Sequence, residues 1–132
     1  MKNKFSKHWV SSKQPRKQRK YIVNAPLHIK HKFLAAHLSK DLIKKYNKRA
    51  IPVRKGDTVK IVRGKFKKKA GKIEKVLPKK TRVYIENIQN IKRDGSKTYI
   101  PIHPSNLIIT ELNLEDKERQ KILQRNKLET KK

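Results

Sequence analysis

Residues 54–76 constrain the fold more than any other part of the chain. Their sequence is RKGDTVKIVRGKFKKKAGKIEKV, and they hold three of the four glycines of the protein. Val59 and Ile61 alternate with polar residues, as in a half-buried β-strand. Glycine permits positive φ angles and close approach of another backbone, so Gly64 and Gly71 are placed to flank a loop. The segment therefore predicts two strands joined by a glycine-bracketed loop.

The same β pattern extends over residues 51–110. Of the 21 apolar residues there, 15 are Ile or Val, whose branched side chains suit a pleated surface. Asp94-Gly95 indicates a tight hairpin turn, because such turns need positive φ. Five short strands at this spacing predict a mainly β fold, a small and strongly bent β-barrel. Besides the glycine segment, the residues that mark strands are Val83 and Ile85, Ile100 and Ile102, and Leu107, Ile108 and Ile109.

The charge of the chain limits its possible partners. There are 38 Lys and Arg residues against 10 Asp and Glu residues, a formal net charge of +28. Such a chain repels itself, so we expect a polyanionic partner, with nucleic acid ahead of an anionic membrane surface. No apolar run approaches the roughly 20 residues that span a bilayer, and no membrane insertion is expected. The N-terminus is basic and lacks the apolar stretch of a secretory signal.

Charge and apolar content divide the chain into residues 1–50, 51–110 and 111–132. The first two segments hold 15 and 16 Lys and Arg residues, whereas the last holds seven against five acids. The first segment is predicted to be a basic extension, disordered over residues 1–20 unless bound and helical after Pro26. The last segment predicts a C-terminal helix, because its acids precede its bases as a helix dipole favours.

The helix expected after Pro26 rests on apolar residues four apart. Ser39 is placed to cap the turn that contains Asp41. In the C-terminal helix, only a thin apolar stripe is available for packing. The spaced residues are Leu34, Leu38, Leu42 and Tyr46, and those of the C-terminal stripe are Ile122, Leu123 and Leu128.

The loop between Gly64 and Gly71 is almost pure positive charge. It offers backbone N–H groups and the four lysines Lys65, Lys67, Lys68 and Lys69. Lysines contact phosphates as point charges and do not read sequence. Phe66 is available either to stack on a partner or to anchor the loop inward. A solvated loop without function is the alternative, and the charge of the whole chain favours phosphate binding.

Residues 54–76 resemble a KOW motif, with Gly-Asp, an alternating strand, a glycine-bracketed basic loop and Gly-Lys-Ile. Three further stretches resemble the archaeal and eukaryotic branch of the large-subunit ribosomal protein family numbered twenty-four in the universal scheme. The similarity runs from about residue 14 to residue 123. A KOW motif alone is shared with transcription factors, so the flanking stretches make the resemblance specific. They are NAPLHIKHK at 24–32, LSKDLIKKYNKRAIPVRKGD at 38–57 and PIHPSNLIITELNL at 101–114.

This resemblance implies an SH3-like barrel bound to the 5′ region of large-subunit ribosomal RNA. It further implies a monomer within the cytoplasmic ribosome that joins the subunit early and lies near the nascent-chain tunnel exit, beside other ribosomal proteins. The family is not known for enzymatic activity or for a cofactor. The main alternative is a KOW-type transcription elongation factor, but residues 1–50 are too short and polar for the α/β domain that usually precedes that barrel. A DNA-packaging protein would fit the charge and leave NAPLH and HPSN unexplained.

The candidate RNA-binding residues come from the resemblance and from the loop chemistry. His103, between two prolines, is expected to fix a loop and to touch RNA. The candidates are Arg16, Arg19, Lys20, His28, Lys30, Lys32, Arg54, Lys55, Arg63, Gly64, Lys65, Lys67, Lys68, Lys69, Gly71, Lys72, His103, Ser105 and Asn106.

Two departures from the family pattern affect shape. Lys68 stands where family members usually carry a glycine. A left-handed turn there would be strained for lysine, so we expect the loop tip to differ in shape. His37-Leu38-Ser39 lacks the usual proline, and we therefore expect the two flanking helical pieces to run together more smoothly.

Other kinds of site find little support. The chain has no cysteine, which excludes thiolate metal sites and cysteine nucleophiles. His28, His31 and His37 have no acid nearby to complete a metal site, and none is expected. The carboxylates of residues 51–110 are scattered, so no active site is expected. Phe5 and Trp9 could stack on unpaired bases or contact the barrel loosely, and the sequence leaves both open.

Overall fold

The computed structural model describes residues 5–129, with side chains up to Arg125. Of the helices in this part of the chain, three lie near its start and one at its C-terminal end, and most of the strands lie between them. In order they are α1 (Pro15–Asn24), α2 (Leu27–Phe33), β1 (Ala35–Leu38), α3 (Lys40–Tyr46), β2 (Ala50–Pro52), β3 (Thr58–Ile61), β4 (Ala70–Leu77), β5 (Arg82–Ile85), β6 (Gln89–Ile91), β7 (Lys97–Tyr99), β8 (Leu107–Glu111) and α4 (Lys117–Glu129), with 3₁₀ turns at Pro78–Lys80 and Pro104–Asn106.

Six strands form one sheet in the order β2-β1-β8-β3-β4-β5. Neighbouring strands are antiparallel except β1 and β8, which are parallel. Strands β6 and β7 pair separately as a hairpin. Ile102 extends the sheet beyond β5, because it exchanges two backbone hydrogen bonds of 2.9 and 3.0 Å with Val83. Among the described strands, no ladder joins β5 to β2.

The fold is mixed α/β, so the expectation of a mainly β chain is met only in part. The strands predicted around Val59, Val83 and Leu107 are confirmed as β3, β5 and β8, and β4 follows the glycine-bracketed loop as expected. The hairpin turn at Asp94-Gly95 is confirmed between β6 and β7. Ile100 and Ile102 do not form a regular strand. The helices add as much regular structure as the strands.

Helices are confirmed after Pro26, but the expectation that the two helical pieces run together is wrong. Helix α2 ends at Phe33, strand β1 follows, and α3 begins at Lys40. A spacing of four residues also equals two strand repeats. Leu38, in β1, and Leu34, the residue before β1, therefore both face the core. The Ser39 cap is confirmed, because its hydroxyl accepts from the amide of Leu42 at 3.4 Å.

Helix α1 lies partly within residues 1–20, where the composition predicted disorder. Pro15 occupies a first-turn position, where its missing N–H costs nothing. Arg, Lys and Gln residues follow it, and all are good helix formers. The helix buries no residue, so local propensity accounts for it, and the composition argument had weighed only the lack of a core.

The hydrophobic core lies on the sheet and draws on residues 34–123. Alternate residues of β3 and β5 point inward, and Val59, Val83 and Ile85 are fully buried. Tyr46 adds to it from α3, and Leu123 from α4. The other buried apolar members are Leu34, Ala36, Leu38, Ile51, Val53, Ile61, Ile73, Ile88, Ile102, Leu107 and Ile109.

Asp57 and Arg119 form an ion pair inside this core. Their side chains are 0% and 2% exposed, and two N–O distances of 2.6 Å join the guanidinium to the carboxylate. Asp57 also accepts from the backbone amides of Arg54 and Asn113, each at 2.9 Å. Arg119 donates further to the carbonyl of Asn113 at 2.8 Å. The pair therefore joins α4 to the turn before β3.

Gly71 is required by packing. A Cβ there would lie 2.8 Å from the carbonyl oxygen of Glu86 and 2.9 Å from Cγ2 of Ile85. Real Cβ atoms do not approach a backbone oxygen so closely, and neither strand can move without breaking the ladder. Gly71 thus allows β4 to cross closely over the end of β5.

We predict that Gly71→Ala lowers the free energy of unfolding by about 1–3 kcal/mol, because the added methyl group overpacks a fixed backbone contact. Urea unfolding followed by circular dichroism measures the change. The neighbouring exposed change Lys72→Ala is the control and should stay within about 0.5 kcal/mol. Equal values for the two variants would contradict the packing argument.

Candidate nucleic-acid interface

The loop between β3 and β4, residues 62–69, is compact. The amide of Ile61 donates to the carbonyl of Lys69 at 2.9 Å, and the amide of Lys68 donates back to the carbonyl of Ile61 at 2.8 Å. Within the loop, the amide of Lys67 donates to the carbonyl of Gly64 at 3.0 Å. Gly64 has a φ of +92°, a conformation that glycine adopts without strain. The loop is therefore a defined turn that holds its side chains in place.

Phe66 anchors this loop inward. It is half-buried and packs against the hydrophobic core, while the four loop lysines are exposed. The ammonium of Lys69 lies 5.4 Å from the centre of the Phe66 ring, within the range of a cation–π contact. Of the two roles left open for Phe66, the structure supports the anchor.

Lys68 adopts a left-handed conformation, so the loop tip does not differ in the way that the missing glycine led us to expect. Its φ is +72°, in the left-handed region that costs an L-residue roughly 1–2 kcal/mol. The loop keeps the shape that a glycine would allow, because the amide of Lys68 is held by Ile61. The loop tip thus carries an additional cation together with backbone strain.

The 3₁₀ turn at Pro104–Asn106 lies beside the start of the loop at residues 62–69, which we call the lysine loop. The carbonyl of Asn106 accepts from the amide of Val62 at 2.9 Å. Arg63 follows directly and is exposed. Two separate sequence predictions, the glycine-lysine loop and the HPSN stretch at residues 103–106, are thereby brought together at one end of the sheet, where β3 ends and β8 begins.

His103 fixes this turn. Its Nδ1 accepts from the amide of Ser105 at 3.2 Å and lies 2.8 Å from the Ser105 hydroxyl. Burial, and secondarily the positive charge of Arg82, lower the pKa of His103 from its ordinary value. The imidazole is therefore neutral at physiological pH, so it caps the turn as an acceptor and adds no positive charge to the surface.

A second group of candidates surrounds the turn before β3. Lys55 is exposed there and lies between two clefts, one of about 1090 Å³ and one of about 540 Å³. Lys72 lines the smaller cleft, and Lys75, which the sequence analysis did not single out, lines the larger. The position of Lys75 in the same strand as buried Ile73 was the available indication that Lys75 faces a cleft.

Arg54 and Glu74 are already engaged with neighbours in these clefts. Arg54 is ion-paired with Asp116, the residue before α4. A hydrogen bond to Glu74, followed by burial, raises the pKa of Tyr99. Arg54 is thus less available to a phosphate than the sequence suggested, and Lys55 is the freer cation.

The remaining candidates lie on α1 and α2. Arg16, Arg19 and Lys20 are exposed along α1, and His28 and Lys32 are exposed on α2. Lys30 has an internal role as well, because its ammonium donates to the carbonyl of Val23 at 2.9 Å. It ties α2 to the end of α1.

The aromatic residues of the extension stack on one another. The ring of Trp9 lies parallel to that of Tyr21 with centres 4.6 Å apart, and Phe5 lies 4.9 Å from the same ring. The ring centre of Phe33 lies 6.0 Å from that of Tyr21. Neither prediction for Phe5 and Trp9 described this arrangement, in which Tyr21 links the first described residues to α1 and α2.

Some kinds of site find no support in the described part of the chain. Within residues 5–129 there is no group of three or more His, Cys, Asp or Glu placed to hold a metal ion. The helices described there are also too short or too polar to cross a membrane.

We predict that Lys68→Gly leaves the free energy of unfolding unchanged or raises it by up to about 1 kcal/mol, because it removes left-handed strain. Lys67→Gly removes the same charge one residue away, where φ is not positive, and should lower stability by about 0.5–1 kcal/mol. Urea unfolding of both variants provides the comparison. Equal destabilisation by the two glycines would contradict the assigned strain.

Comparison with known proteins agrees with these features. Residues 12–126 match the family of eukaryotic ribosomal proteins L26 and archaeal ribosomal proteins L24. The chain is 53% identical over 114 residues to the "Large ribosomal subunit protein uL24" of Methanosphaera stadtmanae, covering 86% of this chain and 97% of that protein. The chain therefore belongs to the ribosomal protein family that comprises L26 of eukaryotes and L24 of archaea.

Proposed function

We propose that the protein is a structural constituent of the large ribosomal subunit that binds large-subunit ribosomal RNA in the cytoplasmic ribosome. Family membership supports the ribosomal role. The observation that carries RNA binding is the lysine loop: four exposed cations on a turn that Phe66 and Asn106 hold in place. A merely solvated loop would not require these two anchors, so the construction favours display of charge to a partner.

The chemistry of the loop suits the RNA backbone. Lysine ammonium groups contact phosphates as point charges, and a turn with one conformation sets the spacing between them. Contacts of this kind position a protein on RNA and read shape rather than sequence. Ser105 and Asn106 lie at the same end of the sheet as the lysine loop and supply polar groups beside its cations.

The N-terminal extension supplies a second contact surface. Helix α1 buries no residue and carries Arg16, Arg19 and Lys20, as expected of an element that lies against a polyanion. We assign residues 1–50 to this extension, 51–110 to the KOW domain and 111–132 to the C-terminal helix and tail. The extension threads between RNA helices and becomes fully ordered there, since its self-repulsion is relieved by phosphates.

The sheet also supports an SH3-like barrel. Strand β4 pairs with β3 through residues 70–72 and with β5 through residues 73–77. One strand that changes partner along its length bends the sheet strongly, and Ile102 continues the curl beyond β5. We infer from this curvature a small, partly open barrel.

The family further supports binding of the 5′ region of the RNA, early entry into subunit assembly, a position near the tunnel exit and contact with neighbouring ribosomal proteins, as a monomer within the ribosome. It does not favour the transcription elongation factor. The assigned role requires no catalytic residue and no cofactor, in keeping with a family that is generally not enzymatic.

We predict that binding to cognate large-subunit RNA weakens steeply with salt. If about ten phosphates are contacted, the log–log slope should be near −7 to −9. The triple change Lys65→Ala, Lys67→Ala and Lys69→Ala should reduce the steepness by about 3, roughly one for each phosphate that is no longer neutralised. Filter binding or fluorescence anisotropy at a series of salt concentrations measures both slopes.

The charge-matched control removes Lys117, Lys121 and Arg125 from α4, where the chain is nearly neutral. This variant should keep the slope of the wild-type protein. A wild-type slope shallower than about −3 on cognate RNA, or an equal effect of the two triple variants, would contradict the proposed binding mode.

A further inference from the structure

The turn before β3 takes its shape from the C-terminal helix. The carboxylate of Asp57 accepts from the amide of Arg54 within the turn and from the amide of Asn113 outside it, each at 2.9 Å. Both oxygens are then held by the guanidinium of Arg119 at 2.6 Å. Rotation of this carboxylate would break all of these bonds together. Arg119 therefore fixes the orientation of the group that closes the turn.

The turn is held on its other side as well. The amide of Gly56 donates to the carbonyl of Ile73, and the amide of Ile73 donates to the carbonyl of Asp57, each at 2.9 Å. Gly56 has a φ of +88°, and a Cβ there would lie 2.9 Å from Nδ2 of Asn113. The backbone from Arg54 to Asp57 is thus confined between β4 and the segment that leads into α4.

Lys55 is the cation whose direction depends on this turn. It is exposed and lines both clefts, and within the described residues it forms no ion pair. Lys55 follows Arg54, whose amide Asp57 holds. A change in the turn would therefore change the direction of the Lys55 ammonium.

The ion pair is poorly explained by stability alone. Burying two charges costs desolvation that their attraction often only offsets, and apolar replacements are frequently as stable. Nε of Arg119 is also buried with no hydrogen-bond partner among the described residues. What the pair supplies beyond stability is a fixed direction, because a bidentate guanidinium holds a carboxylate in one plane.

We propose that Arg119 is a positioning residue for RNA recognition, acting through Asp57 to aim Lys55 at a phosphate. This inference rests on the proposed RNA-binding function. It assigns a role in binding to a helix that carries little of the positive charge of the protein.

A double-mutant cycle on cognate RNA tests the inference. Lys55→Ala should weaken binding roughly fivefold at low salt and reduce the steepness of the salt slope by about 1. Arg119→Lys keeps the charge but loses the bidentate geometry, and it should produce the same two changes. In the Lys55→Ala background, Arg119→Lys should add nothing further, because the ammonium that it positions is already gone.

Lys67→Ala provides the control. It removes a loop cation of the same type away from the turn. The fold-loss of affinity that it causes should therefore multiply with the fold-loss caused by Arg119→Lys. Binding is measured where urea unfolding shows each variant to be folded. If Arg119→Lys does not fold, the pair Asp57→Asn with Arg119→Met replaces it, since it leaves no buried unpaired charge. In this double variant, Lys55→Ala should cause no further loss of RNA affinity.

The outcomes separate the inference from the function on which it rests. If Arg119→Lys lowers only stability and leaves affinity and salt slope unchanged, or if its effect multiplies with that of Lys55→Ala, the positioning role is overturned. If the lysine-loop triple variant and Lys55→Ala both bind RNA as the wild-type protein does, the proposed function itself is overturned.

Discussion

The structure depends on the buried ion pair between Asp57 and Arg119. Removing either partner would leave an uncompensated charge in the core, at a cost of about 3–5 kcal/mol. The pair joins the C-terminal helix to the turn before β3, while Leu123 of the same helix packs in the core. Lys48 adds a hydrogen bond of 2.6 Å to the carbonyl of Ile122. Helix α4 is consequently part of the folded unit despite its thin apolar stripe.

Five of the ten acids of this basic chain lie in residues 111–132, the segment that includes α4. Asp116 pairs with Arg54, and Glu118 pairs with Lys121. A hydrogen bond from the amide of Glu118, with a smaller contribution from Arg54, lowers the pKa of Asp116, which keeps it ionised. The lysine loop has no acid in its own sequence, so its charge stays available. The distribution of acids thus gives the protein one compensated side and a basic edge that remains open to a polyanion.

The sequence predicted what local pattern decides and missed what long-range contacts decide. The glycine-bracketed loop and the Ser39 cap follow from a few adjacent residues, and both are present. The turn at Lys68 was expected to change shape and does not, because its amide is held by Ile61 across the loop. Strand β1 was mistaken for helix because a four-residue spacing fits both structures, and only its pairing with β2 and β8 distinguishes them. Which way a side chain points depends on partners distant in sequence, and the spacing of apolar residues does not identify those partners.

The candidate site divides in the same way. Charge and motif indicated the loop lysines and the HPSN stretch, but not that Asn106 and Val62 join them. Arg119 looked like one more basic residue of a surface helix, because its partner Asp57 is 62 positions away in sequence. A count of charges does not distinguish a buried arginine from an exposed one. Its burial could be recognised only once α4 was placed against the sheet.

Native-state amide hydrogen exchange tests most directly whether the ion pair makes the sheet and α4 one unit. The account predicts that the amides of Asn113 and Leu123 open with free energies within about 1 kcal/mol of those of Ile61 and Ile73, because all require global unfolding. If Asn113 and Leu123 instead exchange through an opening at least about 3 kcal/mol easier than that of the sheet, α4 detaches on its own. In that case the ion pair does not hold the fold together.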